Sequence, residues 1–393
     1  MKISLRWALA LSMLSPSTMA CAGSLPTGFT VGYNEAWTEG YYSNWLASNN
    51  MPGLWGLLNS AFNSSFVDAM FSGMAQGNAK IVRIWLFPNM QGVAIDPSKS
   101  PQTQGLYISS GQQVPEIITN LNTVFQLANR YGLKLYITAL DGNSMRNVSG
   151  SVNTLHTYYQ MLTSNSAELT AYEQKVLAPL LNWIVASGYT NLVYAFDLVN
   201  EIEAPINAGY FPTYWSGARS WISSMAYAIT YYYPWLPVTS TAGWGNAVQE
   251  VTLGLFSGLK LNFYDVHVYS DSGSYSGQTA LCNKAKSDNL PIILGEFGQN
   301  SSTVSDSTQN IATYNFLTKA KGSCFSSALA WKYEGAYNPG YPLLSSGEPQ
   351  YSYLYVNVTS NPSTNGTLST ACSPQLPGPS CPRPAYTTIK NFH

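Results

Sequence analysis

Short runs of apolar, β-branched and aromatic residues recur along this chain. Longer stretches lie between them, in which apolar residues return every three or four positions. The short runs are Phe29–Asn34, Ile81–Phe87, Leu133–Leu140, Leu192–Val199, Leu236–Thr241, Asn262–Tyr269, Pro291–Glu296 and Ser326–Tyr333, of which Leu236–Thr241 is the weakest. The helical spacing is clearest over Val114–Tyr131 and is repeated over Phe66–Ala75, Ala167–Ala186, Tyr214–Tyr232 and Ser307–Lys319. Gly77 and Gly132 stand where the first two helices should stop. Strands that are apolar nearly throughout are covered on both faces, and strands separated by helices pair in parallel. The pattern therefore predicts an α/β fold, a (β/α)8 TIM barrel with a short C-terminal extension. An open doubly wound sheet is the alternative, but no Gly-x-Gly-x-x-Gly follows the first strand.

The ends of the chain depart from this pattern. Lys2 and Arg6 precede an apolar stretch near Trp7–Leu14, and Ala20-Cys21-Ala22 is a small-residue cleavage site. This predicts a secretory leader over residues 1–22 and an exported protein, extracellular or periplasmic. Cys21 raises lipid anchoring as a variant, although Thr18-Met19-Ala20 matches such a site poorly. No later apolar run approaches the ~20 residues of a membrane span. From about Leu343 the composition changes, and Pro374–Pro384 is proline-rich. We read 23–345 as the barrel domain and 346–393 as an extension packed on it, with Tyr351–Val358 as an extra strand.

Composition narrows the partners. Charged residues make up 9% of the chain and the net charge is −1, so the sequence carries no basic footprint for nucleic acid. Aromatics at 13% argue against disorder and suit a neutral, hydroxylated ligand. Removal of the leader leaves Cys282, Cys324, Cys372 and Cys381, an even set in an exported chain. Cys372–Cys381 would close a short loop, and Cys282–Cys324 would tie two late barrel segments together. Their spacing fits no zinc pattern, and three histidines are too few for a metal-dependent hydrolase, so we expect no metal and no cofactor. The nearest approach to a serine nucleophile elbow, Gly273-Ser274-Tyr275-Ser276-Gly277, has Tyr at its centre.

The active site of a parallel barrel lies at the C-terminal ends of its strands. The fourth run ends Asp197-Leu198-Val199-Asn200-Glu201 and the seventh ends Gly295-Glu296-Phe297-Gly298. Each brings a glutamate to the mouth. Two carboxyls in one cavity suit glycoside hydrolysis, in which one group donates a proton to the leaving oxygen and the other attacks the anomeric carbon.

Asn200-Glu201, Glu296 and His267-Val268-Tyr269 together resemble the retaining glycosidase clan that includes the family 5 cellulases and mannanases. Arg83 on the second strand and Trp331 on the eighth extend the resemblance from about Gly28 to Tyr333. It implies Glu201 as acid/base, Glu296 as nucleophile and Asn200 on the sugar 2-hydroxyl. It further implies Tyr269 and Arg83 beside the nucleophile, His267 positioning the sugar or the acid, and Trp331 as the floor under the sugar. Trp37, at the mouth after the first strand, is a further sugar contact. The histidine usual near the end of the third strand is replaced by Asp141, which we expect to take over a sugar contact. A buried Arg83 needs a buried anion, for which Glu296 is the natural candidate. Asp197, mid-strand, reads as a structural acid. The implied activity is endo-cleavage of a β-linked polysaccharide, β-1,4-glucan or β-mannan, by a monomer. The rival readings are a transglycosylase on the same two glutamates and a non-catalytic carbohydrate-binding barrel.

Overall fold

The computed structural model describes residues 23–36, 64–86, 115–142, 170, 172–204, 214–243, 247–270, 272–299, 304–333, 353 and 383–392. The leader, Trp37, Cys372, Cys381 and all but Tyr353 of the predicted extra strand lie outside these residues.

Eight parallel strands are β1 (Thr30–Asn34), β2 (Ile81–Trp85), β3 (Lys134–Asp141), β4 (Val193–Asn200), β5 (Val238–Thr239), β6 (Tyr264–Tyr269), β7 (Ile292–Gly298) and β8 (Phe325–Ala330). Their order runs β5-β4-β3-β2-β1-β8-β7-β6, and a parallel bridge from Ala242 to Val266 joins the two ends into a closed barrel. Helices alternate with them: α1 (Ser64–Gln76), α2 (Pro115–Tyr131), α3 (Ala178–Ala186, entered through a π-helical turn over Glu173–Leu177), α4 (Tyr214–Tyr232), α5 (Ala247–Thr252), α6 (Gln278–Asp288) and α7 (Asp306–Lys321). The (β/α)8 expectation holds. Of these seven, the two that periodicity does not single out, α5 and α6, are the short six-residue one and a polar one with only Leu281 and Ala285 buried.

Strand alternation sorts side chains into two layers. Val82 and Ile84 on β2, and Tyr264, Val266 and Val268 on β6, join the core between strands and helices. Ile81, Tyr136, Tyr194, Phe263, Ile293 and Leu329 pack together inside the barrel, with Leu25 among them. Most of these stand near the starts of their strands, so the barrel is plugged with apolar groups below and left polar above.

Two ties reinforce the wall. Cys282 on α6 bonds Cys324 just before β8 across 42 residues of sequence. Closing such a loop contributes about 4 kcal/mol in the chain-entropy account. A further helix, α8 (Pro384–Asn391), begins at a proline that has no N–H to lose in a first turn. It packs on the barrel wall, where Tyr386 donates its hydroxyl to the carbonyl of Gly73 on α1 at 2.8 Å. Among the described residues no helix is long and apolar enough to cross a membrane.

Candidate active site

Above the apolar plug, one cation organises the barrel interior. The alternation that turns Ile81 inward also turns Arg83 inward, where it is wholly buried. Its Nη1 donates to Glu296 Oε1 at 2.6 Å and Asn34 Oδ1 at 3.1 Å. Its Nη2 donates to Asp197 Oδ2 and Asn200 Oδ1, each at 2.8 Å. Its Cζ stands 5.3 Å from the Tyr136 ring centre and 5.7 Å from that of Trp85. Burial works against the charge, but Glu296 and Asp197 outweigh it, so the guanidinium is held firmly cationic.

Glu296 lies on β7 with both oxygens engaged, since Tyr269 donates its hydroxyl to Oε2 at 2.6 Å. Burial pushes the Glu296 carboxyl up, opposed by Arg83 and reinforced by Glu201. Two donors at 2.6 Å, one of them charged, are satisfied by the carboxylate form. Tyr269 is 40% exposed, so this hydrogen bond lies at the solvent-facing rim of the site.

Glu201 follows the last residue of β4. Its backbone has φ +48°, an unusual conformation for a residue with a side chain. Its N–H donates to Thr241 Oγ1 at 2.8 Å. His267 Nδ1, buried on β6, is 3.0 Å from Glu201 Oε1 and 3.4 Å from Glu296 Oε1. Burial, with the Arg83 cation nearby, pushes this imidazole well below its ordinary value, so a neutral ring stands between the two carboxyls. One carboxylate oxygen of Glu201 lies within 4.8 Å of one of Glu296. The three groups also have the spacing of metal ligands, but Arg83 and Tyr269 already occupy the two oxygens of Glu296.

A second polar layer lies beneath. Asp265 Oδ2 accepts from the Tyr136 hydroxyl at 2.6 Å, and Oδ1 faces His267 Nε2 at 3.9 Å. Asp265 fits only because residue 295 is glycine: a Cβ there would fall 1.9 Å from Asp265 Oδ1. Burial raises Asp265 to about 7 and Asp197 to about 6, with Arg83 opposing both shifts.

Arg83, Asn200, Glu201, His267, Tyr269 and Glu296 therefore form one connected set. Asp141 stands behind it: it is buried, and Asn200 Nδ2 donates to its Oδ1 at 2.9 Å. Trp331 is 4% exposed, with its ring 5.7 Å from that of Trp85, and its backbone N–H donates to the carbonyl of Phe297 at 2.8 Å. The next residue, Lys332, follows a cis peptide bond and pairs with buried Glu35 at 3.6 Å. Sequence reasoning passed over Asn34, which takes part of Arg83 and donates to the Gly295 carbonyl at 2.9 Å. Arg83 has a second anion besides the expected Glu296: Asp197, whose signal in the sequence is an acid inside an apolar strand.

No family model matches the sequence, and no curated protein matches it. Solved structures do resemble the fold. A β-1,4-D-mannanase from Cryptopygus antarcticus superposes with a TM-score of 0.54 at 17% identity, over 84% of this chain and 90% of that one. An endo-1,4-β-D-mannanase from Thermotoga petrophila RKU-1 gives 0.55 at 15% identity, over 92% and 98%. An exo-β-1,4-mannosidase from Opitutaceae bacterium strain TAV5 gives 0.58 at 13% identity, over 96% of this chain and 62% of that one. At these identities the likeness establishes the fold.

Proposed function

We propose that the protein is an exported, retaining β-glycosidase that cleaves within β-1,4-linked mannan, with Glu201 as acid/base and Glu296 as nucleophile. One observation carries the mechanism: one carboxyl oxygen of Glu201 lies within 4.8 Å of one of Glu296 at the barrel mouth. An inverting enzyme keeps its pair ~6.5–9.5 Å apart to seat a water, whereas a retaining one holds them at about 5–5.5 Å.

In the first step protonated Glu201 gives its proton to the glycosidic oxygen. A carboxylate oxygen of Glu296 bonds to the anomeric carbon as the bond to the leaving sugar breaks. Glu201, now ionised, takes a proton from water, and that water oxygen displaces Glu296 and restores the original configuration. Arg83 and Tyr269 favour the charged form of Glu296. Asn200 is oriented from both sides, its Oδ1 held by Arg83 and its Nδ2 by Asp141. It presents its amide N–H to the sugar 2-hydroxyl, so Asp141 acts on the sugar through Asn200.

Mannan as substrate draws on the barrels named above, two of them β-1,4-mannanases and one a mannosidase. Export draws on the leader-like Met1–Ala22 and on the Cys282–Cys324 bond, which belongs to an oxidising compartment. The test is incubation of purified protein with linear mannan, glucomannan, carboxymethylcellulose and xylan, with product anomers followed by proton NMR from the first minutes. We expect β-anomers and oligosaccharides of mixed length from the mannans. Initial release of α-anomers would overturn the double displacement, and activity confined to cellulose or xylan would overturn the substrate.

A further inference from the structure

We propose that Glu203 is a positioning residue for Glu201 and acts through the backbone of Gly243. The inference rests on the reading of Glu201 as acid/base.

Glu203 is 2% exposed and lies in the turn that follows β4. Its Oε1 accepts the N–H of Gly243. Gly243 in turn is pressed on the Glu201 carboxyl: a Cβ at this position would fall 2.1 Å from Glu201 Oε1 and 2.6 Å from Cδ. The backbone just before it is anchored to β6, with Ala242 N–H on the Asp265 carbonyl at 3.1 Å and His267 N–H on the Ala242 carbonyl at 2.9 Å. Glu201 is thus enclosed by one short segment. Thr241 holds its N–H, Gly243 walls its side chain, and Glu203 reaches forward from the same turn to hold Gly243 against it.

Such a brace has work to do. At φ +48° the Glu201 backbone sits in a sparsely populated conformation that persists only when neighbours determine it. A general acid displaced by about an ångström loses much of its effect. Burial, with Glu250 and then Glu201 adding to it, pushes the Glu203 carboxyl well up. Glutamine, neutral and with the accepting oxygen intact, is therefore its conservative replacement.

The test compares kcat/KM on mannopentaose, whose leaving sugar needs a proton, with that on 2,4-dinitrophenyl β-mannobioside, whose leaving phenolate needs none. Glu203→Ala is expected to lose about 10- to 100-fold on mannopentaose and under about 3-fold on the dinitrophenyl substrate. Glu203→Gln is expected to stay within about 3-fold of wild type on both. Glu203→Leu, close in size but without the acceptor for the Gly243 N–H, should reproduce the selective loss and decides the matter if Glu203→Ala does not fold. Equal losses on the two substrates, or unchanged turnover of mannopentaose, would overturn the brace. Glu201→Ala run in parallel separates the two claims: if it too loses equally on both substrates, the acid/base reading fails and the brace with it.

Discussion

Glu296 and Glu201 stand close together at the barrel mouth, yet what surrounds them differs in kind. Glu296 sits within β7, and its two oxygens accept from side chains contributed by β2 and β6. Glu201 sits past the end of its strand at a positive φ, its N–H on Thr241 and its carboxyl packed against a glycine backbone. The proposed nucleophile, which would have to be anionic, is stabilised by a fixed cation and a hydroxyl. The proposed acid/base, which would gain and lose a proton, is better placed by contacts that carry little charge, because a strong donor or cation would bind one protonation state.

The first way to break this comparison is to remove each carboxyl and supply azide. Glu296→Ala should lose at least about four orders of magnitude in kcat. Glu201→Ala, once glycosylated on Glu296, should be rescued by azide to give a β-glycosyl azide, while azide replacing the Glu296 carboxyl should give the α product. NMR of the azides checks the assignment, and the opposite pairing would exchange the two roles.

Arg83→Ala should cost about two to three orders of magnitude in kcat/KM. It should also cost about 3–5 kcal/mol of stability, since it leaves buried acids without their cation. Loss of the cation raises Glu296 further, so the acid limb of the pH–rate profile should move to higher pH. A limb that stays in place would deny Arg83 its role in holding Glu296 ionised. Tyr269→Phe removes one hydrogen bond at the rim and should cost about 10-fold with the fold unchanged by circular dichroism.

The smallest effect lies under the site and appears in stability. Asp265 and Asp197 are raised to about 7 and about 6. Each contributes stability that is complete below its unfolded value and is lost as pH rises through the folded one. His267, pushed down, acts in the opposite sense below its unfolded value, so the informative quantity is a difference between proteins. The fall in melting temperature from pH 5 to pH 8 should be smaller in Asp265→Asn than in wild type. An equal fall in both would remove Asp265 from the account.

Much of the site was legible because strand and function coincide in a barrel. Glu201 and Glu296 each close an apolar run, and His267 and Tyr269 follow the alternation of β6, so their residue types and positions pointed to the mouth. Asp141 was placed at the right end of the right strand, but its partner was not legible: it engages Asn200, because β3 and β4 pair Asp141 with Asn200 in register. Glu203 and Gly243 left no signal, since a side chain bonding a backbone N–H forty positions away has no periodicity. The cation–carboxylate pairing of Arg83 with Glu296 followed from the need to neutralise a buried charge. Its sharing with Asp197, Asn200 and Asn34 did not.

By itself the sequence determined the alternation of strands and helices, the faces that are apolar, and the identity of the acids delivered to the mouth. Those follow from local periodicity and from which residues end each run. Only the tertiary structure decided which inward residues stand at one level. That level depends on strand register, which shifts between Val266 and His267 on β6 and between Leu294 and Phe297 on β7. A shift of one residue reverses the face a side chain occupies. Here it decides that His267 stands opposite Glu296 and that the two carboxyls approach each other.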